Sequence, residues 1–358
     1  MALDVPVIAA LITAGASLTV AILSMVSSSA SQKRLMLNQA ELQRYQRDLK
    51  RLQDELDQKA AERDARRDYE YEAKKHLYHE CSPLLFQLSD QAASALERIQ
   101  GLAESAAQGK LGAGPASWLS ADRFRYYRAS TEYRLLAPLA TLKLLKQRLT
   151  KLDLSLDPEI YLLYSLARQA GRVLSDDFTL AKLSPVCRYD PHDDDARRLS
   201  KTDPATYWQQ GVPRGILDNA IDALLVKDGD GCRIMSFLEF EAVRHDEQSA
   251  AGLALARIGY LFKEFHPQQR PVLWRLLLAT ASIYRAIGLI SEREHGRAPM
   301  GDAVRLLVLP QDERAQFAWQ GDGQQAASAA DFEAVDSYLL RELEKVIRRI
   351  HTGSVPSN

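Results

Sequence analysis

Between residues 121 and 151 the chain carries Arg123, Arg125, Arg128, Arg134, Lys143, Lys146, Arg148 and Lys151 against only Asp122 and Glu132. Tyr126 and Tyr127 sit inside that run, which reads Arg-Phe-Arg-Tyr-Tyr-Arg from 123 to 128. Basic side chains at this density can neutralise phosphates, and tyrosine rings can stack on bases. The same stretch would suit anionic lipid headgroups, at about 1 kcal/mol per basic residue close to the surface. Two plainer uses compete: pairing with the aspartates around Asp193, and a solvated helix face. Arg123, Arg125, Tyr126, Tyr127, Arg128 and Arg134 are the expected contacts if the partner is nucleic acid or anionic lipid.

The other groupings with chemical potential are incomplete. His76 and His79 are three apart, share a helix face and precede Glu80 and Cys81, yet no second ligand pair exists to complete a zinc site. Asp228-Gly-Asp-Gly231 resembles a piece of a calcium loop, but the first and last ligand positions fall on Val226 and Phe237, which should be carboxylates. A simple turn between helices is the better reading. Cys187, His192 and Asp193 to Asp195 lie in a polar segment with no orienting neighbour. Asp218, Asp222, Glu239 and Glu241 could converge as an acidic enzyme site, although no spacing demands it. Neither GxxxxGK[ST] nor GxGxxG occurs. No catalytic, metal or cofactor residue is therefore expected, and a non-enzymatic protein is the leading expectation.

What must position these groups begins with residues 5–26, VPVIAALITAGASLTVAILSMV, without one charged side chain. As a helix, this run covers the roughly 30 Å hydrocarbon core of a bilayer. A cleaved signal peptide fits less well: the preceding residues hold Asp4 and no Lys or Arg, and the apolar run exceeds a signal core. Lys33, Arg34, Arg44, Arg47 and Lys50 follow the run, so the positive-inside rule puts the rest of the chain in the cytoplasm and the N-terminus outside. Ala9, Thr13, Ser17 and Ala21 recur every fourth position with Gly15 at their flank, a small-residue face on which two membrane helices can meet.

Leu35, Leu42, Leu49 and Leu56 then fall at seven-residue intervals, with Asn38, Tyr45, Leu52 and Lys59 at the companion seam positions. This is half of a good coiled coil; Asn and Lys in a seam lower stability while restricting register. The pattern predicts a stalk helix over 31–79, marginal alone and helped by tethering in one membrane. Its rival is a single helix whose leucine stripe packs back on the rest of the chain.

With 358 residues the chain can bury a sizeable core, and 46 basic against 47 acidic side chains give no global pull toward nucleic acid. Cys81, Cys187 and Cys232 are widely spaced, which argues against a disulfide framework. From residue 82 helical spacing dominates. Helices are predicted over 121–151, 158–174 and 271–290, near Pro213 and Ala250, and after a capping box at Ser328 and Asp331. A short strand is predicted over 304–309. The helix over 271–290 is apolar enough to suggest a second span, but Arg275 and Arg285 make it a core helix. The expected architecture is all-α: an anchor over 1–30, a stalk over 31–80 and a helical body over 81–358, with an internal boundary near 184–206. The expected partners are the membrane, a second copy and another protein.

Overall fold

The computed structural model describes residues 5–112, 116–120, 124–149, 156–184, 186–189, 206–207, 210–229, 231–246, 248–292, 305–319 and 329–351. At 5–14, 26, 30–32, 188–189, 206–207, 329–330, 343 and 346–351 the description is of the backbone alone. The protein is mostly helical, and its contacts divide it into two units, Met1–Glu72 and Ala73–Asn358.

Helix α1 spans Val5–Ala107. The sequence reading ends the stalk near His79, before Pro83, whereas the helix runs through that proline. A proline inside a helix removes one backbone hydrogen bond and crowds the preceding turn. Tertiary contact offsets this: Leu77 and Cys81 are fully buried in a cluster with Leu145, Leu149 and Ile160. In the first unit, every residue from 33 to 69 except Ala60 is exposed.

The second unit is built around an apolar helix. Its elements after α1 are α2 (Arg125–Leu149), α3 (Pro158–Val173), α4 (Asp177–Ala181), β1 (Arg188–Tyr189), β2 (Thr206–Tyr207) and α5 (Arg214–Ala223). They continue with β3 (Leu225–Asp228), β4 (Gly231–Ile234), α6 (Phe237–His245), α7 (Ala250–Phe262), α8 (Pro271–Ser291), α9 (Gln311–Arg314) and α10 (Ala329–His351). Among the described residues α8 is the one helix long and apolar enough to cross a bilayer, yet 83% of that apolar window is buried. It packs against α3, α4 and α10, while α2 and α5–α7 form the neighbouring layer. Pro271 opens α8 at a position that needs no amide hydrogen. The Gln210 side chain accepts from the Leu273 amide at 3.0 Å, satisfying another donor of that first turn.

The two charges inside α8 are satisfied within the body. Arg275 is wholly buried; its Nε donates to Asp331 at 2.7 Å and its Nη1 to the carbonyls of Leu180 and Leu183 at 2.9 and 3.1 Å. One guanidinium thereby ties α8 to α10 and to α4. Arg285 pairs with Glu313 and donates to the Leu306 carbonyl at 3.1 Å. Asp331, read from the sequence as part of a cap, is the Arg275 partner; Ser328 lies outside the described residues.

Two short elements depart from expectation. Asp228-Gly-Asp-Gly231 is the corner of a β-hairpin, not a turn between helices: β3 and β4 pair antiparallel, with Asp228 opposite Gly231. Gly229 has φ +55°, the left-handed conformation such a two-residue corner requires. The strand expected over 304–309 is replaced by helical residues 305–307, with Leu307 and Leu309 buried in the core. Tertiary burial of two leucines overrides the β preference of the local run. The expected boundary over 184–206 falls mostly outside the described residues; at its ends β1 and β2 pair in parallel, Arg188 with Thr206.

Local capping fixes the helix starts around the core. Asp157 Oδ1 accepts from the amides of Glu159 and Ile160 at 2.9 and 3.1 Å, capping α3. The other oxygen of Asp157 accepts from the Tyr78 hydroxyl of α1, and this bond pushes the phenol up to about 12. Ser236 and Glu239 form a reciprocal capping box on α6. Asp177 Oδ2 accepts from the Gly211 amide at 2.7 Å. A Cβ at 211 would stand 2.5 Å from the Asp177 Cγ, so only glycine permits this approach.

Candidate functional site

Each of α2, α3, α5 and α10 carries polar side chains one helical turn apart, and these line a single cleft. Lys143 and Lys146 come from α2, Arg168 and Arg172 from α3, Arg341 and Lys345 from α10. On α5, Arg214, Asp218 and Asp222 follow at four-residue intervals and share one face. The cleft has a volume of about 920 Å³, and its lining holds seven Lys and Arg against four Asp and Glu. Leu139, Leu142, Tyr164, Leu217 and Ile221 supply its apolar wall.

Several of these charges are already engaged. Lys143 pairs with Asp222. Glu342 lies 2.5 Å from the Lys345 ammonium and 3.8 Å from the Arg341 guanidinium. Asp176 accepts from the hydroxyls of Tyr338, at 2.8 Å, and Thr179. Burial first, and then the Asp176 carboxylate, push the Tyr338 phenol well above its ordinary value, so it stays a donor. Lys146, Arg168 and Arg214 make no ion pair among the described residues, and all three are exposed to the cleft's solvent.

A second groove, of about 730 Å³, lies among α1, α2 and the β-hairpin and includes His79, Glu80, Arg148, Lys227 and Cys232. Glu80 meets Arg148 at 3.3 Å and the His79 ring at 3.6 Å. His76 and His79 are exposed, whereas Cys81 is buried on another face and its thiol is pushed up to about 11 by burial. The helix therefore separates the histidines from the cysteine. Among the described residues no three of His, Cys, Asp and Glu gather as a metal would require. Cys187 packs beside Ala181 and Val272, and burial pushes its thiol up to about 11. His192 and Asp193 to Asp195 lie outside the described residues.

The basic run distributes over several environments. Arg123 and Lys151 lie outside the described residues. Arg125 is exposed, and Tyr126 is exposed with its ring edge-on to Phe237 at 5.5 Å. Tyr127 is turned inward: its hydroxyl bonds Ser105 at 2.8 Å and the Gly101 carbonyl at 3.2 Å, and Arg98 lies 4.5 Å above its ring. Arg128 donates to the Leu119 carbonyl at 3.4 Å and lies 3.8 Å from Glu132. That carboxylate is wholly buried and also receives Arg244 Nε and Nη2 at 2.6 and 2.9 Å; burial raises its pKa against the pull of both guanidinium groups. Arg134 is half-buried near Arg98, whose charge it opposes. Of the run, Lys143 and Lys146 reach the cleft, and Arg148 reaches the second groove.

The acidic residues split likewise. Asp218 and Asp222 line the cleft, while Glu239 is held by Arg233 at 2.7 Å beside the hairpin, and Glu241 lines neither cavity. The sequence does not single out Arg168, Arg172, Arg214, Arg341 and Lys345; their signal is four-residue spacing on α3 and α10, helices far apart in the chain.

In the first unit the seam leucines are all more than half exposed: Leu35 60%, Leu42 59%, Leu49 65% and Leu56 61%, with Tyr45 and Leu52 exposed beside them. On the expected membrane face, Gly15, Ser17 and Ala21 are exposed, and the side chains of Ala9 and Thr13 lie outside the described residues. No family model matches the chain, and no curated protein and no solved structure matches it. The fold and its cavities thus define an all-α protein with an uncovered apolar helix and a cationic cleft.

Proposed function

We propose that this protein is a single-pass, membrane-anchored, self-associating helical protein whose cytoplasmic body meets a protein partner without catalysing a reaction. The carrying observation is the consecutive exposure of apolar side chains along α1. Leu18, Val20, Ile22, Leu23 and Met25 are exposed all round the helix, and the leucine seam follows them. A helix apolar on every side needs either a protein core or lipid around it. Two hydroxyls of this stretch are already spent: Thr19 donates to the Gly15 and Ala16 carbonyls at 3.0 and 2.9 Å, and Ser24 to Ala21 at 2.9 Å. That arrangement leaves no donor facing hydrocarbon from these two side chains.

The seam calls for a second copy of this chain rather than an unrelated helix. Its seven-residue period is that of a coiled coil, and a partner with the same period lies closest at hand in the same membrane. The cationic flank from Lys33 to Lys50 supports a cytoplasmic body.

Membrane fractionation tests the anchor. The full-length chain is expected in the detergent-extracted fraction, and a chain lacking residues 1–30 in the soluble one. A full-length chain found entirely in the soluble fraction overturns the anchor. Light scattering of the detergent-purified chain is expected to give more than one copy per particle, and a monomer overturns the self-association.

A further inference from the structure

We propose that the cleft between α2, α3, α5 and α10 binds a small molecule carrying a di- or triphosphate group. This rests on the body alone and stands or falls separately from the anchor and the seam. The chain as a whole has net charge −1, so a cleft lined by seven cations and four carboxylates is a local concentration of one sign. Like charges held together on a concave wall repel, and the low-dielectric wall focuses their field into the opening. The carboxylates do not cancel the excess, since seven cations stand against four of them. Asp222 is taken by Lys143, Glu342 by Lys345 and Arg341, and Asp176 accepts from two hydroxyls, while Asp218 shares the α5 face with Arg214.

Lys146, Arg168 and Arg214 approach the cleft from three different helices and make no ion pair among the described residues. Three cations converging from separate elements suit a ligand with several anionic oxygens better than a single carboxylate. Arginine forks match phosphate oxygens two at a time, and lysine adds a compact charge. The volume of about 920 Å³ falls within the usual range for small-molecule pockets and leaves space beyond a phosphate chain. Leu139, Leu142, Tyr164 and Leu217 offer the remainder of such a ligand an apolar surface. The phosphate source is either a free nucleotide-like molecule or a phosphorylated lipid headgroup, since both present the same oxygens.

Calorimetric titration of the full-length protein in detergent tests this, with ATP, inorganic pyrophosphate and inositol trisphosphate as probes and adenosine as the uncharged control. At least one phosphate probe is expected to bind, adenosine is not, and the affinity is expected to fall with added salt. Tightest binding of ATP identifies a free nucleotide-like source, and tightest binding of inositol trisphosphate a headgroup. Arg168→Gln with Arg214→Gln is expected to weaken binding by about tenfold per lost contact. Both side chains are exposed and make no ion pair among the described residues, so the ligand-free variant is expected to melt no lower than the parent. Lys146→Gln, also exposed, gives an independent loss of about tenfold. Failure of all three phosphate probes to bind at about 10 mM, or undiminished binding by these variants, overturns the proposal.

Discussion

Two apolar stretches of this chain, residues 15–25 of α1 and the whole of α8, have similar composition and opposite surroundings. Both are rich in Leu, Ile and Ala, and each has two Ser or Thr hydroxyls that bond back to their own helix: Thr19 and Ser24 in one, Thr280 and Ser282 in the other. The first is exposed throughout and the second is almost entirely buried. The distinguishing residues are Arg275 and Arg285. A guanidinium inside an apolar helix needs carboxylate and carbonyl partners on neighbouring elements, and α8 has them on α4, α10, α9 and the segment before α9. The α1 stretch has no charged side chain, so nothing in it requires a protein neighbour. Apolarity says that a helix avoids water; the charges within it say whether protein replaces the water.

The sharpest way to break this contrast is to remove the charge from α8. Arg275→Ala leaves Asp331 buried without its partner and should cost about 3–5 kcal/mol of stability, read by chemical denaturation. A loss under about 1 kcal/mol would mean that the pair does not hold the helix in place. The converse change tests the exposed region. Leu42→Asp with Leu49→Asp should lower the particle mass in light scattering while leaving the melting of the body unchanged; a lowered body melting temperature would mean that the seam is covered by its own chain.

Smaller effects probe the walls around α8. Gly211→Ala drives a methyl into Asp177 and should destabilise the body by about 1–3 kcal/mol, with the chain shift visible in amide exchange at 210–212. Asp157→Ala removes the α3 cap at about 1–2 kcal/mol and should return the Tyr78 phenol from about 12 toward its ordinary value, read by ultraviolet titration. The smallest effect concerns Glu239, which Arg233 and the Ser236 cap hold down to about 2. Its carboxylate is ionised in the folded state where an unfolded chain would bind a proton. Its contribution is therefore complete above the ordinary carboxylate range and lost as pH falls toward 2. An NMR titration midpoint for Glu239 in the ordinary carboxylate range would remove that link.

The helices of the body were legible because their cues are local. Pro158 with Asp157 before it, Pro271, and the Phe332, Val335 and Leu339 stripe announce α3, α8 and α10 within one or two turns of sequence. The β-hairpin was missed because four-residue strands are too short to show a period, although the two-residue Gly229-Asp230 corner is a hairpin signal. The stalk is predicted to end at 79, short of Pro83, because propensity cannot see Leu145 and Ile160 packing with Leu77 and Cys81 just before that proline. The cleft was illegible for a different reason. Lys143 and Lys345 come to line one cleft only after α2 and α10 have folded onto the same body, and no window of sequence contains both. The basic run, conspicuous in sequence, sends Tyr127 and Arg128 into internal contacts and, among the described residues, Lys143 and Lys146 to the cleft.

The three cysteines differ in a way that bears on how this protein can be watched at work. Cys81 and Cys187 are held as thiols by burial, and Cys232 stands exposed on β4 at the rim of the second groove. A maleimide must reach the sulfur it modifies, and Cys232 is the exposed one of the three. The unaltered chain thus offers one accessible position for a fluorophore or spin label, set on the hairpin of the body, from which ligand binding and subunit encounter can be followed without engineering a cysteine-free background.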